Sequence, residues 1–251
     1  MATRLPPQRV AVTGASGLIG TALVGHLRSE GHTVQRFVRR PAIARDEISW
    51  DPKAGTVDLS ALEGVDAVIH LAGAGVGDKR WSKKYKSEIL NSRLLGTTAI
   101  ANAVNEVKPQ VFISASAIGW YGESGNRSVI ESDRVGDDFL AAVCREWEGA
   151  ADLVTDVRTV KIRTGLVLDP TGGALGRMLP LFRLGLGGKL GNGKQWWSWI
   201  TLHDVIRAIT FLLENKVSGP INLTSPNPVT NQEFTSALAR AMHRPALFPA
   251  P

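Results

Sequence analysis

Along the first 165 residues, short apolar runs alternate with longer stretches whose apolar positions recur every three or four residues. The runs Arg9–Thr13, Thr33–Val38, Glu47–Trp50, Ala67–Leu71, Val111–Ala115 and Val157–Arg163 are short and apolar, as strands buried on both faces should be. Between them Leu18–Glu30, Lys83–Val107 and Phe139–Leu153 carry helical periodicity. This alternation predicts a parallel sheet with helices on both sides. No internal repeat or low-complexity linker interrupts it.

After Arg163 the texture becomes rich in glycine and tryptophan. A helix is expected from Ala174 to Leu186, then a turn at Gly187-Gly188. A helix over His203–Glu214 starts behind Thr201, whose hydroxyl suits an N-cap. Gly219-Pro220 opens a short strand, Ile221–Leu223, and a last helix begins near Thr230 or Asn231 and ends before Pro245.

Composition narrows the class. The 251 residues are 43% hydrophobic and 21% charged, ordinary for a globular protein. No run approaches the roughly 18 apolar residues of a membrane span, and the N-terminus lacks the apolar core of a signal peptide. Cys144 is the only cysteine, which rules out an internal disulfide and points to a reducing cytoplasm. The five histidines are scattered, so no metal site is expected. A net charge of +6 would attract phosphates. The one dense basic run, Lys79 to Lys86, reads as a solvated helix start, and no nucleic-acid or membrane partner is expected.

The chemistry begins at VTGASGLIG, residues 12–20. Gly14, Gly17 and Gly20 follow a strand and open a helix. Gly14 would turn the chain out of the strand, Gly17 would admit a pyrophosphate to the backbone, and Gly20 would let the helix pack on the sheet. Ser16 adds a donor, and the backbone of Leu18 and Ile19 belongs to a helix N-terminus that attracts phosphates. A dinucleotide is therefore expected here. NAD calls for an acid at the end of the second strand, but that strand ends Phe37-Val38-Arg39-Arg40-Pro41. Arg39, then Arg40, would meet a 2′-phosphate, so NADP is expected over NAD. Asp51 is either a contact to the adenine amino group or a turn residue.

With the glycine loop, His70-Leu71-Ala72-Gly73 and Val111-Phe112-Ile113-Ser114-Ala115-Ser116, the chain resembles the extended short-chain dehydrogenase/reductases over about residues 8 to 243. It is more closely similar to an atypical branch, the NAD-dependent epimerase/dehydratase family proteins of unassigned substrate. Asp137–Leu140, Cys144–Glu148, Met178–Gly188 and Gln195–Ile200 carry that likeness. Members of the branch usually continue past a segment like His243–Leu247 into a small C-terminal domain, so the chain is expected to be truncated.

The resemblance implies an α/β fold: a Rossmann-type doubly wound parallel sheet with a small discontinuous C-terminal substrate lobe. Residues 1–165 would form the dinucleotide-binding domain, with 203–215 packing back on it. Residues 166–202 and 216–251 would form the lobe. Leu71, Ala72, Gly73, Ser114, Arg163 and Gly165 would line the cofactor. Working relatives use serine with a tyrosine four residues before a lysine. Here those last two positions fall on Leu140 and Cys144, and no Tyr-x-x-x-Lys occurs anywhere. Ser116 is retained, and Arg93, which stands where relatives carry asparagine, is a catalytic candidate: it or Tyr121 would have to replace the missing acid.

Each remaining group has two readings. Ser116 would orient a substrate carbonyl or cap a strand end. Cys144 would be a thiolate beside Arg93 or a small buried apolar residue. Tyr121, in the loop with Trp120, would be a displaced acid or a packing residue, and Trp120 would face the substrate. Glu123 and Glu131 on that loop are expected to be solvated. Trp196 and Trp199 would stack on a substrate whose phosphate Arg183 holds, although alternation places some of these tryptophans in the core. The chain is thus expected to be an NADP-binding epimerase- or oxidoreductase-like protein of a small polar, nucleotide-sugar-like substrate. The alternative is a catalytically weak NADP-binding protein with a regulatory or scaffold role. A homodimer through the two long helices is the expected assembly.

Overall fold

A computed structural model describes residues 6–246. In chain order the elements begin β1 (Arg9–Thr13), α1 (Leu18–Ser29), β2 (Thr33–Val38), β3 (Glu47–Asp51), β4 (Thr56–Val57) and β5 (Ala67–His70). They continue α2 (Lys83–Val107), β6 (Val111–Ala117), α3 (Phe139–Ala151), β7 (Arg158–Thr164) and β8 (Leu166–Asp169). Then come α4 (Gly173–Arg183), β9 (Trp196–Trp197), β10 (Trp199–Thr201), α5 (Leu202–Glu214), β11 (Gly219–Leu223), β12 (Val229–Thr230) and α6 (Asn231–Ala241).

The central sheet has eight strands in the order β11-β7-β6-β5-β1-β2-β3-β4. Every neighbouring pair is parallel except β3–β4. This is the Rossmann-like architecture. The two-residue period of each strand sorts its side chains between two cores. Val10 and Val12 face Leu23 and Leu27 of α1 and Val205, Ile209 and Leu212 of α5. Ala11, between them, faces the opposite layer, where Phe112, Trp50 and Val68 meet Ile100 and Val104 of α2 and Ala151 of α3. The strand order reverses between β1 and β5, and a crevice opens there at the carboxyl ends of the strands.

A smaller lobe stands over that end. It holds a parallel pair, β8 with β10, and an antiparallel pair, β9 with β12. Helix α6 starts from a full capping box, Thr230 with Glu233. The strand β11 departs from expectation. The sequence places 216–251 wholly in the lobe, but Gly219–Leu223 pairs with Val160–Thr164 as an edge of the central sheet. An edge is where a strand tolerates Pro220, which has no N–H to offer.

Candidate active site

The crevice has three stretches, which differ in how far their polar groups are already bonded. At the first, β1 runs into Gly14 with φ +66°. A Cβ on Gly14 would stand 2.9 Å from the Leu71 carbonyl carbon, and one on Gly20 would stand 2.1 Å from the Gly14 carbonyl oxygen. Gly20 is thus required by the turn itself rather than by packing on the sheet. Gly17 is the N-cap of α1, and no side chain bonds the first-turn N–H groups. Ser16 and Gly17 are exposed, and with Leu18, Thr21, Thr171 and Leu202 they line a depression. Ile19 packs against the α1 core. A glycine cradle in front of an uncapped helix N-terminus fits a pyrophosphate.

At the end of β2 the two arginines separate. Arg40 is held by Glu47 through both nitrogens, at 2.6 and 2.8 Å. That bond, with one from the Ile43 N–H, pulls the Glu47 carboxyl down to about 2. The expectation that Arg40 faces a ligand is corrected on this ground, since its fork is already occupied. Arg39 is exposed and makes no hydrogen bond or ion pair among the described residues. Asp51 proves to be a turn residue, accepting from Lys53 N at 2.8 Å and Ala54 N at 3.2 Å.

The middle stretch is the loop after β5. Thr13 Oγ1 accepts from the N–H groups of Leu71 and Ala72 and bonds His70 Nδ1 at 2.8 Å, which ties the ends of β1 and β5 together. His70 is fully buried, its Nε2 has no partner, and burial pushes its pKa down to about 3. Four consecutive carbonyls then accept side-chain donors. Ala74 takes Arg93, Gly75 the Tyr85 hydroxyl, Val76 the Trp81 indole and Gly77 Arg177. Arg177 comes from α4 in the lobe and also reaches Asp78 at 2.7 Å. Gly73 is pressed against Arg93, where a Cβ would stand 3.3 Å from the guanidinium carbon.

The third stretch, at the ends of β6 and β7, is a closed network. Ser116 is buried and donates to Glu148 Oε1 at 2.6 Å. Glu148 is buried on α3 and receives Arg163 at 2.8 and 2.9 Å. Arg163 donates to the Tyr121 hydroxyl at 3.0 Å and to the Glu131 carbonyl at 3.0 Å. Tyr121 donates to Asn222 Oδ1 at 2.6 Å, and the Trp120 ring lies 4.0 Å from the Arg163 guanidinium carbon. Burial opposes the Arg163 charge, but Glu148 and Tyr121 outweigh it and hold its pKa above the ordinary value.

This network corrects several expectations. The Ser116 and Tyr121 protons already have acceptors, so neither is free for a substrate. Arg163, at 2% exposure, is a core cation rather than a cleft lining, and Ser114 is fully buried. Trp120 stacks inward and bonds the Asp133 carbonyl. Glu131 is not merely solvated, since its carboxylate accepts from Asn222 N at 2.9 Å. Cys144 is buried; desolvation and the Glu148 charge push its thiol up to about 11, which excludes a thiolate at neutral pH. Gly165 is fixed by packing, because a Cβ would stand 2.4 Å from the Ser198 carbonyl oxygen.

In the lobe, Trp196 is exposed and its indole bonds Asn126 Oδ1 at 2.8 Å. Trp199 is half-buried and bonds the Asn227 carbonyl, and Trp197 packs on Phe234. Arg183 is exposed, with no side-chain partner among the described residues. Sequence reasoning missed Glu148. The signal was present: residues 144, 147, 148 and 151 form one buried helical stripe, and a carboxylate in such a stripe requires a partner. It also missed Arg177 and Asp78, whose meeting across 99 residues has no local signature. Among the described residues no helix is long and apolar enough to cross a membrane.

Residues 10–139 match the family described as NAD dependent epimerase/dehydratase family. An epimerase family protein of Mycobacterium leprae is 45% identical over 239 residues, covering 94% of this chain and 78% of that protein. The crystal structure of human epimerase family protein SDR39U1 (isoform 2) with NADPH superposes with a TM-score of 0.88 at 36% identity, over 97% of this chain and 83% of that one. A nucleoside-diphosphate sugar epimerase from Corynebacterium glutamicum gives a TM-score of 0.80 at 38% identity, over 98% of this chain and 53% of that one. The fold is that of the dinucleotide-binding epimerases and oxidoreductases related to nucleotide-sugar epimerases.

Proposed function

The chain belongs to the NAD dependent epimerase/dehydratase family, and from that premise we propose that it binds NADP in preference to NAD and acts on a small polar, nucleotide-sugar-like substrate. The observation that carries the NADP preference is Arg39. It stands free at the end of β2, and the nearby acid, Glu47, is consumed by Arg40. A free guanidinium with no competing carboxylate suits a 2′-phosphate and leaves a bare ribose hydroxyl without its usual acceptor. The human relative crystallised with NADPH supports this reading.

The first-turn N–H groups of α1, with Gly14, Gly17, Gly20 and Ser16, would hold the pyrophosphate. Leu71, Ala72 and Gly73 would border the rest of the dinucleotide, and Trp196 and Trp199 would face the substrate. When bound, the cofactor supplies hydride transfer, and the protein supplies placement and electrostatics. We place the protein in the cytoplasm, in keeping with its one buried free thiol, and as a homodimer through α2 and α3.

A second reading is favoured by the closed network. With the Ser116 and Tyr121 protons both committed, the chain would be a catalytically weak NADP-binding protein whose occupancy governs association with a partner. Fluorescence titration of NADPH and NADH tests the cofactor reading. Arg39→Ala is expected to weaken NADPH by about ten- to a hundredfold while leaving NADH unchanged. Equal losses for both nucleotides would remove the NADP preference. Turnover of nucleotide sugars by the NADP-loaded protein separates the two functional readings.

A further inference from the structure

We propose that Arg93 is an anion receptor in the crevice, so that the small molecule bound beside the dinucleotide carries a carboxylate or phosphoryl group that this guanidinium engages. The proposal deepens the dinucleotide reading and rests on it for the location of the ligand.

The first support is position. Arg93 projects from α2 against Gly73, immediately after the Leu71 and Ala72 amides that Thr13 ties to the start of the glycine loop. It therefore borders the point where the strand order reverses between β1 and β5, which is where open α/β sheets bind ligands.

The second support is an unbalanced charge. Arg163 has Glu148, Arg40 has Glu47, Arg36 has Asp46 and Arg177 has Asp78, whereas Arg158, like Arg93, is held by carbonyls alone, those of Leu212, Leu213 and Val217. Arg93 makes no ion pair among the described residues. Its Nη1 donates to the Ala74 and Ile89 carbonyls at 2.9 and 3.1 Å, and the Trp147 ring lies 4.8 Å from its carbon. Carbonyls and a ring face soften a charge without cancelling it. The ionisable groups it feels most are Cys144 and Tyr85. The Cys144 thiol is held in its protonated form, and the Tyr85 hydroxyl donates to Gly75. Burial lowers the Arg93 pKa, as it must where no anion repays the desolvation.

The third support is redundancy. The neighbouring carbonyls at Gly75 and Val76 are held by neutral donors, Tyr85 and Trp81. Gly77 is held by Arg177, but there Asp78 pairs the charge, whereas at Ala74 the carbonyl contact leaves the Arg93 charge unpaired. The Nε and Nη2 edge bonds nothing among the described residues, and that edge is a fork matched to two anionic oxygens.

The test uses the full chain saturated with NADPH, with calorimetric titration of malonate and of inorganic phosphate. Wild type is expected to bind at least one of the two. Arg93→Gln, which keeps a donor for Ala74 but no charge, should lose about ten- to a hundredfold of that affinity, and Arg93→Lys, which keeps the charge but not the fork, should fall measurably below wild type and above Arg93→Gln. NADPH affinity, read separately by fluorescence, should stay within about threefold of wild type in Arg93→Gln, because the guanidinium is assigned to the second ligand and not to the dinucleotide. Unchanged anion binding in Arg93→Gln, or no binding of either anion by wild type, overturns the proposal. A parallel fall in NADPH affinity also overturns it, because Arg93 would then serve the dinucleotide itself. Failure of wild type to bind NADPH at all would instead defeat the dinucleotide reading. A folded melting profile for Arg93→Gln guards against a trivial loss; if Arg93→Gln is unfolded, Arg93→Lys carries the test, and anion binding equal to wild type in that variant overturns the proposed fork contact.

Discussion

The two ends of the crevice treat polar groups in opposite ways. At the glycine loop, backbone donors at the start of α1 are left without side-chain partners, and Arg39 stands alone. At the ends of β6 and β7, Ser116, Glu148, Arg163, Tyr121 and Asn222 bond one another in an unbroken chain. Exposed donors bonded only to water can exchange it for a ligand, whereas a closed network would have to break its own bonds to take one. The first end therefore reads as receptive and the second as structural.

The strongest way to break this contrast is to open the closed end. Glu148→Gln would leave Arg163 buried without its carboxylate, at a cost of about 3–5 kcal/mol. The melting temperature should fall by about 10 °C, and an unchanged melt would deny the network its structural role. Next in size, Gly20→Ala would drive a methyl to 2.1 Å from the Gly14 carbonyl oxygen. The turn must then shift, costing about 1–3 kcal/mol of stability. NADPH binding should vanish at the same time, and binding that survives would mean that the cradle does not hold the phosphates.

A third test lies beneath the crevice. His70 is held neutral in the folded state, with its pKa lowered from 6.5 to about 3. Between those values the unfolded chain binds a proton that the folded chain refuses, so stability falls as the pH drops below 6.5. Glu47 joins this loss only below its ordinary 4.5. Unfolding free energies measured from pH 6.5 down to 4.5 should thus slope in wild type and flatten in His70→Gln. The smallest effects belong to the surface. Arg177→Ala removes an exposed pair and should change stability by under about 1 kcal/mol. Cys144 should resist iodoacetamide at neutral pH until the protein is denatured, and rapid labelling of the native state would contradict its raised pKa.

How much of this could be read from the chain alone follows from range. The helices and the long strands appear where periodicity places them, because local patterning dominates there. The short strands β8 and β12 carry no period of their own and were invisible, whereas β5, equally short as β8, is marked by its mostly apolar run. The partner of β11 lies some 60 residues earlier, so its membership of the central sheet had no local mark. Adjacent arginines look alike in sequence, and only Glu47 on the next strand separates Arg39 from Arg40. The glycine loop was legible because its constraint is steric and contiguous. The fate of Ser116 was not, because a buried carboxylate thirty-two residues away decides where its proton points.

The loop over residues 74–77 has one more implication, for heredity. Its carbonyls are set by Arg93, Tyr85, Trp81 and Arg177, not by its own side chains. Variation within the loop would therefore alter its shape less than variation at those four distant codons. A selection experiment that randomises residues 74–77 alone would search the wrong letters, and a library over 81, 85, 93 and 177 would reach the variants that reshape the crevice.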